Sequence, residues 1–556
     1  MTSADEWAAN FKARPLGEYL DDTLRVYSER PATDFLGKTT TYAELGDMVD
    51  RIAAGLQAMG VKKDDKVGIC LPNCPYYPAF YYAILNLGAT VVNVNPLYVE
   101  REMSFQVRDS GAKIMVTLDL KVIYDKIEAV RKEGALEKVI VCPMADILPQ
   151  PKKLLFTLFK GKERAKIPSD TNHVTYSQLT ANAGKYERAQ IDPYEQIAVL
   201  QYTGGTTGVP KGAMLTHANL SANMEQMREA FITAKPGVER MMCVLPFFHV
   251  FAMTVCQNLS VLIGAEMLLM PRFEMKMFLD LATRKKATLC AGVPTIYNAI
   301  NNSPETKKYD LSSIKLCMSG GAPLPVEVKQ EFEALTGCFL VEGYGLSESS
   351  PVACANPLDG TARDGSIGLP VAGTKIEFRD LEDPTKQVPK GEKGEVCIIG
   401  PQVMKGYWQR PDESEKTLIN GSILRTGDVG YEDADGFIYL VDRIKDLIIC
   451  SGYNVYPRVI EEALYQHPAV EETIVIAVPD DYRGQAPKAF VKLREGENVS
   501  SDDLMGFLKS HISKIEMPKE IVFREELPKT LVGKLSKKEL VEEEAEKRKA
   551  EEAATA

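Results

Sequence analysis

Short apolar runs alternate with amphipathic helical patterns along the first part of the chain, and this alternation is the strongest constraint on its fold. Thr41 and Glu44 form a capping box that begins one helix, and Gly60 suits the end of that helix. Strand patterns at 67–71 and 90–94 enclose a second helical pattern. Further segments of both kinds are 77–87, 111–118, 122–132, 138–141, 287–291, 314–318 and 338–341. Strands that alternate with helices imply parallel sheets covered on both faces, so we predict an α/β fold.

The length and the changes of pattern predict more than one domain. A chain of 556 residues is too long for one ordinary core. After residue 360, short strand patterns lie between Gly, Asp and Pro turns, and the charged stretch 442–446 then separates two apolar runs. We predict a large N-terminal domain, 1–441, a hinge, 442–446, and a small C-terminal α/β domain, 447–556. The tail at 536–556 is rich in Glu, Lys and Ala, and we expect it to fray. We predict no function for it.

Charge and cysteine usage disfavour several classes of protein. The net charge of −11 argues against a nucleic-acid partner, because binding to phosphates needs a basic surface. The eleven cysteines show no zinc-type spacing, which indicates reduced thiols in an intracellular protein. Residues 1–14 lack the apolar core of a secretory signal, so we expect a cytoplasmic location. The apolar stretch 241–264 is long enough for a membrane span, but Pro246 and His249 interrupt it, and a buried strand followed by a core helix explains it.

A basic, amphipathic segment at 152–166 interrupts the alternation. A segment of this kind could rest on an anionic membrane surface. The alternative is a surface loop whose apolar side chains pack on the parent domain. Its cations are Lys152, Lys153, Lys160, Lys162, Arg164 and Lys166, and its apolar residues are Leu154, Leu155, Phe156, Leu158 and Phe159.

A loop rich in glycine and threonine follows at 202–212. Its glycines let backbone N–H groups approach an anion, and its threonines add hydroxyl donors. A strand pattern at 196–202 precedes the loop and a helical pattern begins at Thr216, so we predict a phosphate site between a strand and a helix. The loop is not a Walker motif, because glycine rather than Ser or Thr follows its lysine. The residues concerned are Thr203, Gly204, Gly205, Thr206, Thr207, Gly208 and Lys211.

Further motifs occur later in the chain. They are Leu245-Pro246-Phe247-Phe248-His249-Val250-Phe251, Ser319-Gly320-Gly321-Ala322-Pro323-Leu324, Tyr344-Gly345-Leu346-Ser347-Glu348, Thr426-Gly427-Asp428 with Asp442-Arg443, and Leu527-Pro528-Lys529-Thr530-Leu531-Val532-Gly533-Lys534. With the loop, and in this order, they resemble the motifs of the adenylate-forming superfamily of acyl-CoA and aryl-CoA ligases, luciferases and amino-acid adenylation domains. The chain looks most like the bacterial long-chain fatty acid–CoA ligases. This resemblance implies stacked doubly wound sheets and a smaller β subdomain in the N-terminal domain, with a mobile C-terminal domain.

The resemblance implies a ligase that works in two steps. A carboxylate attacks the α-phosphate of ATP to give an acyl-adenylate and pyrophosphate, and the thiol of CoA then displaces AMP. Because anions meet in the first step, cations and donors must face the phosphates. Glu348 and Thr203 would hold Mg²⁺, and Lys211 would steady the β and γ phosphates. The remaining implied nucleotide contacts are Gly321, Ala322, Pro323, Tyr344 at the adenine, Gly345, Ser347, Asp428 and Arg443 at the ribose, and Lys534.

Lys534 is the main catalytic residue that the resemblance implies, and it would lie between the acyl carboxylate and the α-phosphate. The small domain would then rotate about Lys445. The residues that would face the pantetheine thiol after this rotation are Ser451, Gly452 and Tyr453. Luciferase-like relatives have a lysine where this chain has Ile449, which favours a CoA ligase over a light-emitting oxidase. The common habit of the family predicts a homodimer.

The acyl site determines which acid is activated. The residues at the family's acyl positions are apolar or small, which disfavours the ammonium group of an amino acid. They are His249, as a wall or gate rather than a general base, Phe251, Ala252, Met253, Val293, Gly320, Gly343 and Val352. Because Gly343 has no side chain, we expect it to leave a channel open. We predict a medium- or long-chain fatty acid, with aryl acids such as 4-coumarate and dicarboxylic acids as alternatives. A nucleotide-binding protein without catalysis is disfavoured, since Glu348 and Lys534 are both present.

Overall fold

Two large, mostly parallel sheets form the body of the protein. The structure is a computed structural model that describes residues 4–203, 209–451, 453–480, 482–530 and 533–555. The larger sheet is parallel in its centre and antiparallel at both edges. Its strands run in the spatial order Leu369–Pro370, Val352–Ala355, Phe339–Gly345, Leu316–Gly320, Leu289–Gly292, Arg240–Cys243, Glu266–Leu269, Pro31–Phe35 and Lys38–Thr41. The strands predicted near 287–291, 314–318 and 338–341 are therefore neighbours in one sheet.

The second large sheet is parallel except at one edge. Its strands run in the spatial order His173–Thr175, Lys138–Cys142, Ile114–Leu118, Lys66–Ile69, Thr90–Asn93, Ile197–Thr203 and Lys211–Thr216. Helix Tyr76–Asn86 is buried along its whole length, and its side chains share one apolar cluster with strands of both sheets. This shared core stacks the sheets on each other, as the prediction of doubly wound layers requires.

Helices cover these sheets and connect their strands. The predicted capping box is present, because Thr41 Oγ1 accepts the N–H of Glu44 while the Glu44 side chain accepts the N–H of Thr41. The α-helices are Ala4–Asn10, Leu16–Tyr27, Tyr42–Ala58, Tyr76–Asn86, Glu100–Ser110, Lys121–Lys132, Lys152–Phe159, Tyr176–Leu179, His217–Ala230, Leu259–Ile263, Met275–Lys285, Pro294–Asn302, Val326–Thr336, Pro411–Thr417, Pro457–Tyr465, Ser501–Leu508 and Lys537–Thr555. The 3-10 helices are Met144–Ile147, Gly161–Glu163, Thr306–Lys308, Ser347–Ser349 and Ile444–Asp446, and Ala252–Asn258 is a π-helix.

Two smaller sheets complete the α/β architecture. The first is the antiparallel β subdomain that was predicted after residue 360, with strands Lys375–Arg379, Gly394–Ile399, Ile423–Glu432, Leu418–Ile419 and Ile438–Arg443. The second belongs to the C-terminal part, with strands Tyr453–Val455, Ile448–Cys450, Gly484–Leu493, Val470–Asp480 and Glu520–Phe523. Each sheet has an apolar cluster of its own. The predicted fold class, a large N-terminal part with a β subdomain and a smaller C-terminal α/β part, is confirmed.

The prediction that the C-terminal tail frays is wrong for its first turns. Helix Lys537–Thr555 buries Leu540 against the strands of the C-terminal sheet. Glu543 and Glu544 pair with Arg524 and Lys488 of that sheet region. The composition concealed this packing, because one buried leucine and two ion pairs hold a helix that is otherwise charged.

The basic segment at 152–166 forms a helix, Lys152–Phe159, on the surface. Phe156 packs against the main core, whereas Leu154, Leu155, Leu158 and Phe159 are exposed. The expectation that its apolar side chains pack on the parent domain is thus wrong for four of the five. None of the helices in the described ranges is both long and apolar enough to cross a membrane. The described cysteines are all free and buried, which agrees with the prediction of reduced thiols.

Candidate active site

The two strands that flank the glycine-rich loop lie at the edge of the second large sheet. Strand Ile197–Thr203 enters the loop and strand Lys211–Thr216 leaves it, paired antiparallel so that Thr203 lies opposite Lys211. The predicted connection from strand to helix is therefore wrong, because a return strand comes before helix His217–Ala230. The prediction placed no strand between the loop and the helical pattern that begins at Thr216. Gly204, Gly205, Thr206, Thr207 and Gly208 lie outside the described residues.

The Lys211 side chain at the base of this hairpin is held by two groups from a distant part of the chain. Its Nζ lies 2.6 Å from Glu413 Oε2 and 5.0 Å from the centre of the Tyr407 ring. Lys211 and Lys416 together lower the pKa of Glu413 to about 2. Sequence reasoning placed Lys211 at the phosphates but gave no sign of Glu413.

Tyr407 also contacts the predicted metal ligand. Its Oη donates a hydrogen bond of 2.6 Å to Oε1 of Glu348, the middle residue of the short helix Ser347–Ser349. Burial, followed by the Glu348 charge, raises the pKa of Tyr407 far above its usual range, so the phenol remains a donor. One aromatic side chain thus contacts both Lys211 and Glu348. A single sequence gives no signal for this role, because the contacts join residues far apart in the chain.

Backbone hydrogen bonds fix the segment that carries Tyr407. The Met404 N–H donates to the Glu348 carbonyl at 2.8 Å, and the Trp408 N–H donates to the Gly212 carbonyl at 2.8 Å. Asp109 supplies an anchor from helix Glu100–Ser110: its carboxylate accepts from Arg410 at 2.6 Å and from Tyr202 at 2.7 Å. The segment is therefore tied to both strands of the hairpin and to the glutamate.

The predicted ribose residues meet between two paired strands of the β subdomain. Asp428 lies directly opposite Arg443 in the sheet, and Arg443 Nε is 3.1 Å from Asp428 Oδ1. Tyr344 Oη donates to Oδ2 of the same carboxylate at 2.5 Å. Three motifs that are far apart in sequence thus converge on one carboxylate, and its two oxygens are oriented by a cation and a phenol.

The segment predicted to lie along the adenine follows strand Leu316–Gly320. Ala322 and Pro323 lead to Leu324, whose N–H donates to Glu342 Oε2 at 3.1 Å. Burial raises the pKa of Glu342 to about 7, and the nearby charge of Arg458 opposes this rise. Glu342 is a supporting residue that the motif comparison did not identify.

Lys534 reaches this site from the C-terminal part of the chain. Its Nζ lies 2.6 Å from the position of a Cβ atom built on Gly321. The backbone just before it is held in place, since Thr295 Oγ1 of the N-terminal part donates to the Gly533 carbonyl at 2.7 Å. The lysine of the last motif is therefore already inserted beside the adenine segment.

The surroundings of Lys534 lower the pKa of its ammonium group. Burial, and then the charge of Arg443, lowers the pKa of Lys534 to about 8. His249 has its pKa lowered to about 3 by burial and then by Lys534, so its imidazole is neutral. The Nδ1 atom of His249 accepts the N–H of Phe251 at 3.3 Å. A neutral, internally bonded histidine suits the predicted wall of the site better than a general base.

Comparison with known families decides which family this site belongs to. The family described as AMP-binding enzyme matches residues 20–408, and the AMP-binding enzyme C-terminal domain matches 459–534. The chain belongs to the AMP-binding enzyme family. A long-chain-fatty-acid–CoA ligase of Bacillus subtilis is 43% identical over 539 residues, which are 96% of this chain and 95% of the relative. The predicted resemblance to adenylate-forming enzymes, and to bacterial long-chain fatty acid–CoA ligases among them, is confirmed.

Other AMP-binding enzymes show the breadth of the family. The 4-coumarate–CoA ligase 4 of Arabidopsis thaliana is 31% identical over 516 residues, covering 91% of this chain and 86% of the relative. Among solved structures, ATP-bound MatB from Rhodopseudomonas palustris has a TM-score of 0.83 at 28% identity, covering 96% of this chain and 99% of the MatB chain. The fold of this AMP-binding enzyme therefore matches a structure that holds ATP.

The predicted acyl residues of this AMP-binding enzyme lie around the ends of two paired strands. Gly320 lies opposite Gly343 in the sheet, and the Phe251 ring stands 3.0 Å from a Cβ built on Gly320. The expected open channel at Gly343 is not present, because the Met318 sulfur lies 2.9 Å from a Cβ built there. An adjacent long side chain can fill the space that a glycine leaves, and the motif alone does not reveal it.

The remaining predicted residues are distributed around these two regions. Met253 lies in the π-helix with its sulfur 3.4 Å from Asn93 Nδ2, and Val352 is buried beside Gly345. Gly345 has to be glycine, because a Cβ would lie 1.8 Å from the Pro351 carbonyl oxygen. Ser347 opens the short helix of Glu348, and Thr203 ends its strand with Oγ1 3.5 Å from the Lys211 carbonyl.

The predicted hinge and thiol-facing residues lie beyond the β subdomain. Lys445 is in the 3-10 helix Ile444–Asp446, directly after the strand that carries Arg443. Ser451 has a φ of +50°, and its N–H donates to the Arg483 carbonyl. Tyr453 is 67% exposed on the strand Tyr453–Val455. Gly452 lies outside the described residues.

Proposed function

We propose that this AMP-binding enzyme converts a medium- or long-chain fatty acid to its acyl-CoA, using ATP and CoA and releasing AMP and pyrophosphate. The similarity to long-chain-fatty-acid–CoA ligases over nearly the whole chain supports this substrate class. The observation that carries the reaction class is the insertion of Lys534 from the C-terminal part beside Gly321. A half-buried cation delivered there suits a reaction in which two anions must meet.

In the first half-reaction, the chain's own groups would orient the two anions. Asp428, held by Arg443 and Tyr344, would accept hydrogen bonds from the ribose hydroxyls. Lys534 would lie between the fatty acid carboxylate and the α-phosphate and stabilise the charge that develops as the phosphoanhydride bond breaks. His249 and Phe251 would form the wall between the nucleotide and the acyl chain.

Mg²⁺ fits the oxygen donors of the site. Glu348 is nearly fully buried, and its helix packs against strand Ile197–Thr203, which ends in the Thr203 hydroxyl. A carboxylate with few other protein ligands is typical of Mg²⁺ that also binds phosphates. When bound, the ion would neutralise phosphate charge. Glu348 would hold it, with Thr203 as the second ligand, and Tyr407 would keep the carboxylate oriented.

For the second half-reaction, we propose that the C-terminal domain, 447–556, rotates about the hinge 442–446. Lys534 would leave the site, and a different face would approach the adenylate. Ser451, Gly452 and Tyr453 would belong to that face, and the exposed ring of Tyr453 supports this assignment. The thiol of CoA would then attack the acyl carbonyl, and AMP would leave with the electrons of the bond that breaks.

Helix Lys152–Phe159 supports a peripheral contact with a membrane on the cytoplasmic side. Leu158 and Phe159 are 65% and 75% exposed, and the exposed residues Lys162 and Lys166 follow the helix in the chain. We expect Leu158→Ser with Phe159→Ser to reduce sedimentation with phosphatidylglycerol vesicles. Ile232→Ser is the matched control, because Ile232 is 73% exposed elsewhere. Equal binding of the wild type and both variants would contradict the contact.

The test of the proposed function is CoA-dependent formation of AMP with octanoate, palmitate, adipate, benzoate and 4-coumarate. We expect octanoate or palmitate to give the highest kcat/KM. A preference for an aryl or dicarboxylic acid would retain the ligase reaction and contradict the substrate. Formation of AMP with none of them would contradict the function. We also propose that the protein forms a homodimer. A measurement of the molar mass of the protein in solution tests this.

A further inference from the structure

The pairing of Lys211 with Glu413 has a consequence for nucleotide binding. The lysine that should meet the β and γ phosphates already has an anionic partner at 2.6 Å. An incoming triphosphate must therefore compete with Glu413 for the same ammonium group. We propose that Glu413 is a positioning residue that holds Lys211 at rest and releases it to the phosphates of ATP. This inference rests on the proposed function, because it assigns Lys211 to a phosphate site.

The geometry allows the lysine to change partners without moving the backbone. The first residue of the strand, Lys211, pairs with Thr203, so its Cα is fixed by the sheet. The Tyr407 ring lies under the ammonium group and can remain a neighbour as the side chain swings. Because Tyr407 is itself tied to Glu348, the swing stays close to the predicted metal ligand.

Glu413 keeps a partner after Lys211 leaves. Its second carboxylate oxygen, Oε1, lies 3.1 Å from Lys416 Nζ on the same helix. The side chains of Lys211 and Glu413 are 32% and 37% exposed, so water also solvates both groups during the exchange. A partly exposed ion pair is weak, which is the property that a reversible counterion needs. After the reaction, the return of Lys211 to Glu413 would remove a contact with pyrophosphate and so assist the release of pyrophosphate.

The direct test is calorimetric titration of the full-length protein with pyrophosphate in the presence of EDTA. Without metal, the measurement reports the phosphate contacts of the chain itself. Glu413→Gln keeps the shape of the side chain and removes the competing charge, so we expect binding about two- to five-fold tighter than in the wild type. Glu413→Asp, which shortens the side chain, should give a smaller gain in the same direction and decides the matter should the first variant fail to fold.

Two further variants separate competition for Lys211 from a general loss of negative charge. Glu415→Gln makes the same charge change two residues away, and Glu415 is exposed on the same helix. We expect it to leave pyrophosphate affinity within experimental error of the wild type. In a Lys211→Gln background, Glu413→Gln should give no gain, since the lysine that was released is absent.

Each outcome decides the proposal. Unchanged or weaker binding by Glu413→Gln would overturn it, as would an equal gain in the Lys211→Gln background or an equal gain from Glu415→Gln. A failure of the proposed function looks different: the wild type would then form no AMP with any fatty acid, whatever its affinity for pyrophosphate. In an active wild type, Glu413→Gln should also strengthen product inhibition by pyrophosphate while the KM for the fatty acid stays unchanged.

Discussion

Lys534 and Gly321 are in contact across the interface between the two parts of the chain. The Cε and Nζ atoms of Lys534 lie 2.4 Å and 2.6 Å from the position of a Cβ on Gly321, whose φ is +81°. The glycine therefore has two functions: its backbone adopts a left-handed turn, and its missing side chain leaves room for the lysine. The C-terminal part is thus docked in the arrangement that adenylation would use.

Gly321→Ala should selectively impair adenylation. The added methyl group occupies the place of the Lys534 ammonium group, and because that group ends a flexible side chain, the lysine moves rather than the backbone. We expect ATP–pyrophosphate exchange to fall about 100-fold, the size of effect that a lost charge-stabilising group has. Conversion of supplied acyl-adenylate to acyl-CoA should be much less affected.

Gly337→Ala is the control for backbone strain in that experiment. Gly337 has a φ of +74° and nothing within 4 Å of a Cβ. Both variants should lose about 1–2 kcal/mol of stability from the left-handed backbone. Only the change at Gly321 should reduce exchange, and an equal reduction at Gly337 would contradict the role of the contact with Lys534.

The rate of adenylation should depend on the protonation of Lys534. Burial and Arg443 lower its pKa to about 8, so the ammonium group is present below that pH and is lost as the pH rises through it. Since kcat/KM reports the free enzyme, its value for ATP should decline on the alkaline side of this pKa. Lys534→Arg, whose guanidinium keeps its charge, should remove the decline. A decline that persists in Lys534→Arg would assign it to another group.

Tyr407→Phe should weaken the response to Mg²⁺. The variant keeps the ring beside Lys211 but removes the 2.6 Å hydrogen bond to Glu348. A hydrogen bond to a charged group contributes about 1.5–3 kcal/mol, so the half-saturating Mg²⁺ concentration should rise about ten-fold or more. Tyr439→Phe is the control, because Tyr439 stacks on Tyr431 at 5.3 Å in the β subdomain. An unchanged Mg²⁺ titration for Tyr407→Phe would remove the residue from the metal site.

Lys445→Pro should separate the two half-reactions. Proline fixes φ near −65° and so restricts the rotation that we propose for the second step. We expect thioester formation to fall more than ATP–pyrophosphate exchange, whereas Lys445→Ala should retain both. An equal loss of both half-reactions in the proline variant would indicate general damage to the fold instead of a blocked hinge.

The sequence pattern was sufficient for the architecture because burial dictates it locally. The capping box at Thr41 and the apolar helix at 77–87 correspond closely to Tyr42–Ala58 and Tyr76–Asn86. The motifs also brought together residues that the structure places in contact, as with Tyr344, Asp428 and Arg443. Such local and motif-borne features require no knowledge of long-range packing.

The features that were missed depend on contacts between distant segments. Neither Glu413 nor Tyr407 belongs to a motif, and their partners Lys211 and Glu348 are far away in the chain. Met318 fills the space beside Gly343 for a similar reason, since only the pairing of two strands makes them neighbours. The pattern of a single segment contains no information on which side chain lies across from it.

The most direct test of the whole account is palmitate-dependent exchange of radioactive pyrophosphate into ATP, without CoA, by the wild type and Lys534→Ala. The account predicts exchange by the wild type and a loss of about 100-fold or more in the variant. The variant should still convert supplied palmitoyl-adenylate to palmitoyl-CoA, which shows that it is folded. Absence of exchange in the wild type, or equal exchange in Lys534→Ala, would contradict the claim that this docked lysine activates a fatty acid.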